Sequence, residues 1–437
     1  MTRTTAVSDR SGPRSHAPAR RGWRASGTGY VMLVVWALGG CAAVGAPPAT
    51  AGPEAGLTQA PEPAKGTGPV RRGGTTGEPA SSSSAAVPTS PFQGPAPAGD
   101  SGQAVPFRRH KVFPLPIVFY TPETRWAGGA GGLWAYRSRP EAKPIAGSAT
   151  FVYTQNSQVQ VGLAAEGYTA DERWHGAAEI GFQRFPNEFF GIGNENREEL
   201  GEDYTSRGLA GTVELKRRVA TGVYVGAAYG WWDDEITDLE GNGPLSAGVP
   251  GDEGGMLSAL AVRFLLDTRD RLFTPTRGTL VRASVRGAGG TLGGDYDFAS
   301  GELDARRYLQ LRPGTVLAVR GVAGIAGKGV PFQEMPSLGG QEVLRGYYDG
   351  RFRDRARLAF DAEVRTPVWW RMGVVGFAGA GQVAPSLDEL GIDRFHAAGG
   401  LGLRFLLDRA EGMNLRIDFG LGEDGSSGMY ITVGEAI

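Results

Sequence analysis

The sequence has little cysteine, little net charge and few histidines, and each shortage excludes a class of protein. Cys41 is the single cysteine among 437 residues, so an internal disulfide or a thiolate zinc site is excluded. The net charge of −1 argues against nucleic acid as a partner. The sequence therefore predicts no metal and no cofactor, because its four histidines are widely spaced and lack the pattern of metal ligands: His16, His110, His175 and His396.

Motifs of enzymes and of membrane helices are missing as well. There is no Gly-x-Ser-x-Gly nucleophile motif and no phosphate-binding loop, so an enzyme is the least favoured class of function. No apolar run is long enough to cross a bilayer as a helix. The function has to be sought in the pattern of the chain rather than in a catalytic constellation.

The first 41 residues have the order of a secretory signal peptide. Three arginines between positions 20 and 24 precede the apolar stretch Tyr30–Cys41, and small residues follow it. The sequence Leu-Gly-Gly-Cys before position 42 resembles a lipobox, in which Cys41 would become the lipidated first residue. The alternative is cleavage by the ordinary signal peptidase near Ala49–Ala51. Both interpretations export the protein from the cytoplasm.

Residues 42–104 consist mostly of Ala, Pro, Gly, Ser and Thr. A segment with so few large apolar residues cannot offset the entropy that folding removes, so we interpret it as a flexible linker. The composition changes at residue 105. We expect a single folded domain from 105 to 437.

This domain alternates apolar and polar residues in segments of about 8–12 residues, the period of β-strands. In Asn414–Leu421, Ile417 and Phe419 lie on one face, whereas Arg416 and Asp418 lie on the other. The polar faces carry charges of both signs together with many of the 70 glycines. An all-β fold with lipid outside and a polar lumen explains this pattern better than a soluble sandwich. Strands in lipid must also close into a barrel, because an open edge has no partner there.

Fifteen such segments can be counted, but single-chain bacterial barrels have even numbers of strands. We therefore predict an antiparallel transmembrane β-barrel of sixteen strands, with fourteen as the alternative, and place the uncounted strand near Val112–Pro122. Tryptophans at strand ends are expected to form interfacial girdles. These are Trp126, Trp134, Trp231, Trp232, Trp369 and Trp370.

One long, charged, glycine-rich segment interrupts the alternation at Ser337–Arg355. With the strand that follows, it resembles the BamA/TamA-type superfamily of outer-membrane assembly and secretion barrels, also called the bacterial surface antigen family. That family carries a [Val/Ile/Leu]-Arg-Gly-[Phe/Tyr] motif before its fifth-from-last strand, and "DTRDRLFTPTRGTLV" at Asp267–Val281 is similar to another of its signatures. The residues matching the loop motif are Leu344, Arg345, Gly346 and Tyr347.

The resemblance implies that the loop folds into the lumen and that Arg345 pairs there with acidic residues. Asp361 and Glu363 share the polar face of the next strand and are the expected partners, since a guanidinium and a carboxylate form paired hydrogen bonds. The strand after that has Gly379 where the family has an aspartate, so a second carboxylate is expected to be missing. The alternative is that Arg345 is an exposed loop residue without a partner.

The resemblance further implies a non-enzymatic barrel of the bacterial outer membrane that assists insertion or translocation of protein or lipid. Its expected partners are outer-membrane lipid and unfolded outer-membrane or secreted proteins, and it is expected to be a monomer. Residues 42–104 are too few for one of the family's periplasmic POTRA modules, which suggests a barrel-only member. The alternative is a passive pore or structural barrel. A short, frayed junction between the first and last strands would favour an assembly barrel. A tight junction would favour the pore.

Overall fold

A computed structural model describes residues 110–136 and 145–437, apart from positions 170, 172, 240, 242, 410 and 411. The expected signal peptide, with Cys41, and the expected linker lie outside these residues and stay predictions. The described residues contain no helix that is long and apolar enough to cross a membrane.

The described chain is built almost entirely from antiparallel β-strands. The strands are β1 His110–Thr121, β2 Arg125–Tyr136, β3 Ile145–Thr154, β4 Val159–Tyr168, β5 Trp174–Phe189, β6 Glu202–Ala220, β7 Val223–Thr237, β8 Gly254–Asp267, β9 Gly278–Ala288, β10 Phe298–Arg312, β11 Thr315–Ala326, β12 Ser337–Leu338, β13 Phe352–Arg353, β14 Ala356–Trp369, β15 Met372–Ala384, β16 His396–Asp408, β17 Met413–Gly422 and β18 Ser427–Val433. The short 3₁₀ helices are Glu198–Leu200, Gly290–Leu292, Phe332–Glu334, Leu387–Glu389, Ile392–Arg394 and Glu423–Gly425.

Sixteen of these strands pair in chain order and close into a barrel, while β12 and β13 form a separate two-stranded sheet. The prediction of a sixteen-stranded antiparallel barrel is confirmed. The uncounted strand is β1, and it lies where the sequence suggested. Five barrel strands, β14 to β18, follow the charged loop.

The two faces of the barrel wall have the polarity that lipid outside and a polar lumen require. On β17, Phe419 and Leu421 point outward and are about half exposed, whereas Arg416 and Asp418 point inward and are buried. In a water-soluble protein the apolar face would be the buried one. The charged interior is therefore a luminal surface.

The connections differ in length between the two ends of the barrel. The strand pairs β6–β7, β10–β11 and β14–β15 are joined by residues 221–222, 313–314 and 370–371 alone. The opposite end carries the long connections 238–253 and 327–355. Since barrels of this type have short periplasmic turns and longer extracellular loops, the second end faces outward from the cell.

The predicted aromatic girdle is wrong at one tryptophan. Trp126, Trp134, Trp369 and Trp370 are exposed on the outer surface. Trp232 instead is 3% exposed, and its indole N–H donates a hydrogen bond to Glu334 in the lumen at 2.7 Å. The adjacent position 231 takes the outward face, because neighbouring residues of a strand alternate sides.

Candidate functional site: the loop inside the barrel

The long connection between β11 and β14, residues 327–355, turns back into the lumen. The pairing of β12 with β13 closes it into a hairpin, and its tip is buried. An apolar cluster joins the tip to the wall, so the loop packs as part of the barrel's core. The cluster consists of Val322, Leu338, Val343, Leu344, Tyr347, Phe352, Ala359, Val383 and Ala398.

Arg345 lies at the centre of the tip and is only 3% exposed. Its Nη2 contacts Oε2 of Glu363 on β14 at 2.7 Å, and its Nη1 pairs with Asp418 on β17. Its guanidinium lies over the ring of Phe377 on β15, with Cζ 3.7 Å from the ring centroid. Burial opposes the charge, but the attraction of Glu363 and Asp418 outweighs it and raises the pKa of Arg345 above its ordinary value.

The expectation that Arg345 would lack a second carboxylate is wrong, because Asp418 supplies it from β17. Asp361 has a different role from the one expected. Its Oδ1 accepts a hydrogen bond from the backbone N–H of Leu344 at 3.3 Å. A Cβ at position 379 would lie 2.4 Å from the same oxygen, so Gly379 leaves Asp361 the room that it needs.

Gly346 allows the tip to lie directly against the backbone of β17. Its φ is +128°, and a Cβ there would come within 2.7 Å of the carbonyl carbon of Leu421. On the strand side, a Cβ at Gly420 would lie 2.6 Å from the carbonyl oxygen of Arg345. Two glycines thus face each other where loop and wall meet, and larger residues would push them apart.

Two tyrosines fasten the tip to the last strands. The hydroxyl of Tyr347 donates to the carbonyl of Ala397 on β16 at 3.1 Å. The hydroxyl of Tyr430 on β18, which is fully buried, accepts from Gly346 N at 3.2 Å and donates to the carbonyl of Tyr347 at 3.2 Å. With the partners of Arg345, these contacts reach every strand from β14 to β18.

The loop also touches the first strands. The backbone N–H of Asp349 donates to Oε1 of Glu123, in the turn between β1 and β2, at 2.9 Å. Burial, and then the neighbouring Glu123, raise the pKa of Asp349 to about 8. Burial likewise raises the pKa of Glu123. The carboxyl group of Asp349 is therefore mainly protonated in the docked loop at neutral pH.

The junction of the first and last strands is short. β18 shares seven registered pairs with β17. With β1 it shares a single registered pair, Tyr120↔Ile431. Val433 packs against the apolar cluster that contains Ile117 and Phe119 of β1. We call this junction the seam. The loop lies behind it and contacts β18 through Tyr430 and the turn after β1 through Glu123.

The comparisons with known proteins agree with this geometry. The model of the Omp85 superfamily domain matches residues 142–437. The chain belongs to the Omp85 superfamily. The outer membrane assembly factor BamA of Nitratidesulfovibrio vulgaris is 31% identical over 154 residues, which cover 34% of this chain and 19% of that protein. This barrel thus matches about a fifth of the length of that relative.

Two solved structures have a similar fold. BamA of Haemophilus ducreyi lacking POTRA domains 1–3 superposes with a TM-score of 0.54 at 14% identity, over 74% of this chain and 69% of that one. CdiB of Escherichia coli superposes with a TM-score of 0.50 at 12% identity, over 76% and 63%. As an Omp85 barrel, the protein is a component of the bacterial outer membrane.

Sequence reasoning did not identify four partners of the loop: Asp418, Tyr430, Phe377 and Glu123. The alternation already put Asp418 on a polar face, so its luminal position was readable. Its proximity to Arg345 was not, because that depends on how far β17 is staggered against β14 around the closed wall. The described residues contain no cluster of His, Cys, Asp or Glu that could hold a metal ion.

Proposed function

We propose that this Omp85 barrel assists the insertion or translocation of protein or lipid at the outer membrane, without catalysing a covalent reaction. The observation that carries the proposal is the seam, where Tyr120 and Ile431 form the one registered pair of β1 and β18. A strand edge with almost no ladder is free to pair with an incoming strand. A passive pore, the alternative, requires a wall closed along its whole height.

The luminal loop supplies the complementary part of the mechanism. Because Tyr430 and Glu123 bind the loop from both sides of the seam, the wall stays closed without a backbone ladder. We propose that an arriving strand replaces these contacts at the seam edge while Arg345 keeps β14 and β17 in place. The proposed partners are membrane lipid and unfolded outer-membrane or secreted proteins, acting on a monomer.

A disulfide across the seam tests this proposal. Tyr120→Cys with Ile431→Cys, in a Cys41→Ala background, places two thiols at the registered pair of the seam. Liposomes containing the reduced barrel should speed the folding of a denatured outer-membrane β-barrel protein into the bilayer, and oxidation should abolish the gain.

The matched control joins two strands away from the seam. Leu401→Cys with Phe419→Cys bridges a registered, outward-facing pair of β16 and β17. Its oxidation should leave the folding rate unchanged. Equal rates for the oxidised and reduced seam variants would contradict the proposal, and steady conductance from both would favour the passive pore.

A further inference from the structure

The segment 434–437 leaves β18 at the periplasmic end and turns into the lumen. Gly434, with a φ of +98°, makes the turn, and its N–H donates to the carbonyl of Asn414 at 2.8 Å. Ala436 and Ile437 are each 3% exposed. The β17–β18 ladder ends at Leu415↔Val433, so the residues after Gly434 have no strand pairing of their own.

Ile437 reaches the far wall of the barrel. It packs in an apolar pocket formed by β8, β9, β10 and β11. In the strand order of the barrel, β14 to β17 lie between these strands and β18. The Nη2 of Arg365 donates a hydrogen bond to its carbonyl oxygen. The residues that form the pocket with Ile437 are Leu265, Leu280, Tyr308 and Ala318.

Glu435 is held by a separate set of polar groups. Its side chain is 3% exposed, and its Oε2 contacts Nε of Arg404 at 2.7 Å and Nε of Arg365 at 3.7 Å. Its Oε1 accepts from Nδ2 of Asn414 at 2.6 Å. A carboxylate and an apolar side chain two residues later are thus bound in different pockets, and Arg365 binds the backbone carbonyl of the second residue.

These contacts connect the segment to the loop. Arg365 also pairs with Glu363, and Arg404 also pairs with Asp418. Glu363 and Asp418 are the two carboxylates that hold Arg345. The segment and the loop therefore share one buried network of ion pairs.

We propose that this luminal pocket is a peptide-binding site, occupied here by the chain's own segment 434–437 as an exchangeable plug of the periplasmic mouth. The site would take an extended peptide with a carboxylate side chain two positions before an aliphatic one. Exchange is expected on physical grounds, because the segment beyond Gly434 is held by side chains rather than by a strand ladder. The inference goes beyond the assembly role and does not depend on it.

Thiol reactivity tests whether Glu435 holds the plug. Ala436→Cys, in a Cys41→Ala background, places a thiol at a buried position of the segment, and we expect slow modification by a water-soluble maleimide. Adding Glu435→Gln should speed modification roughly tenfold, since a charge-assisted contact is lost. Glu389→Gln, an exposed carboxylate at the opposite end, is the matched control and should change nothing. Equal rates with Glu435→Gln and Glu389→Gln would overturn the proposed plug.

Peptide binding tests the site itself. A barrel shortened after Val433 should bind a fluorescent Gly-Glu-Ala-Ile peptide, the full-length barrel should not, and Gly-Gln-Ala-Ile should bind roughly tenfold more weakly. Heat-modifiable migration on gels shows whether the shortened barrel folds. If it folds without binding the peptide, the site is refuted.

If shortening prevents folding, the same peptides are titrated against full-length barrels with and without Glu435→Gln. Binding at least tenfold tighter to the variant would support exchange, and equal binding would refute it. Neither readout requires assembly activity, so failure here is distinguishable from failure of the proposed function.

Discussion

The two edges of β18 are held in different ways. Toward β17 the strand shares a ladder of seven registered pairs, whereas toward β1 it shares one. The second edge is supported by side chains instead: Tyr430 contacts the loop tip in the lumen, and Val433 packs against an apolar cluster that includes residues of β1. A barrel wall can therefore be held closed by side-chain contacts where its backbone ladder is nearly absent.

This difference matters because the two kinds of contact respond differently to change. A ladder depends on backbone groups, which no substitution removes except proline. The support of the seam depends on a few side chains, foremost Arg345, which keeps the loop tip in place. Single substitutions should therefore weaken the seam while the β17 edge of β18 stays intact.

The largest effect is expected from Arg345→Ala. Glu363 and Asp418 would each lose a buried partner, and removal of one member of a buried ion pair costs about 3–5 kcal/mol. Since Arg365 and Arg404 still pair with these carboxylates, we expect the lower end, about 3 kcal/mol, in urea unfolding followed by tryptophan fluorescence.

Two further variants sharpen this result. Arg345→Lys keeps the charge but loses the planar fork and the stacking on Phe377, so an intermediate loss is expected. The exposed Arg394→Ala should stay within about 0.5 kcal/mol of the wild type. A loss from Arg345→Ala no larger than that of Arg394→Ala would refute the role of the buried pairs.

A smaller effect is expected from pH, acting through Asp349. Its carboxyl holds a proton in the folded state up to about pH 8, whereas the unfolded group loses it near 3.8. Docking of the loop is therefore favoured at low pH. Its free energy becomes less favourable as the pH rises from about 3.8 to about 8, by at most about 1.4 kcal/mol per pH unit. Hydrogen exchange of residues 337–353 should be faster at pH 8 than at pH 5, after correction for the intrinsic rate.

Asp349→Asn should weaken this pH dependence of loop docking and leave only the part that Glu123 contributes. The exposed Asp388→Asn is the control, because hydrogen bonding by Ser386 lowers the pKa of Asp388, so this carboxylate is charged at both pH values compared. A pH dependence of the same size in Asp349→Asn as in the wild type would contradict the role of Asp349.

The smallest effect is expected from Tyr430→Phe, which retains the ring and removes the hydroxyl bound to Gly346 and Tyr347. Loss of these hydrogen bonds should cost about 1 kcal/mol and should speed hydrogen exchange in β18 without affecting β16. Tyr153→Phe, on the outer surface at 52% exposure, is the matched control. Exchange in β18 equal to that of the control would mean that the loop does not support the seam.

Much of the fold was predictable because the alternation has one physical cause. Lipid on one side and a polar lumen on the other impose a period of two, which revealed the strands and the inward face of Asp361 and Glu363. Strand β1 was harder to recognise, because it contains two prolines and its alternation is weak. Its pairing with the glycine-rich β2 is needed to define it.

The rest of the site depends on three-dimensional closure. The pairing of Asp418 with Arg345 requires the stagger of β17, and the luminal position of Trp232 requires the register of β7, neither of which is encoded locally. The inward turn of 434–437 depends on a single glycine whose φ the sequence does not reveal. Such features arise where distant strands meet across the lumen.

We infer that the loop centred on Arg345 fills and braces the lumen. Single-channel recording in planar bilayers, comparing the wild type with Arg345→Ala and Arg394→Ala, tests it most directly. We expect the wild type and the Arg394→Ala control to be closed or to open only briefly. Arg345→Ala should form an open pore. A steady open pore of equal conductance in all three would contradict the claim.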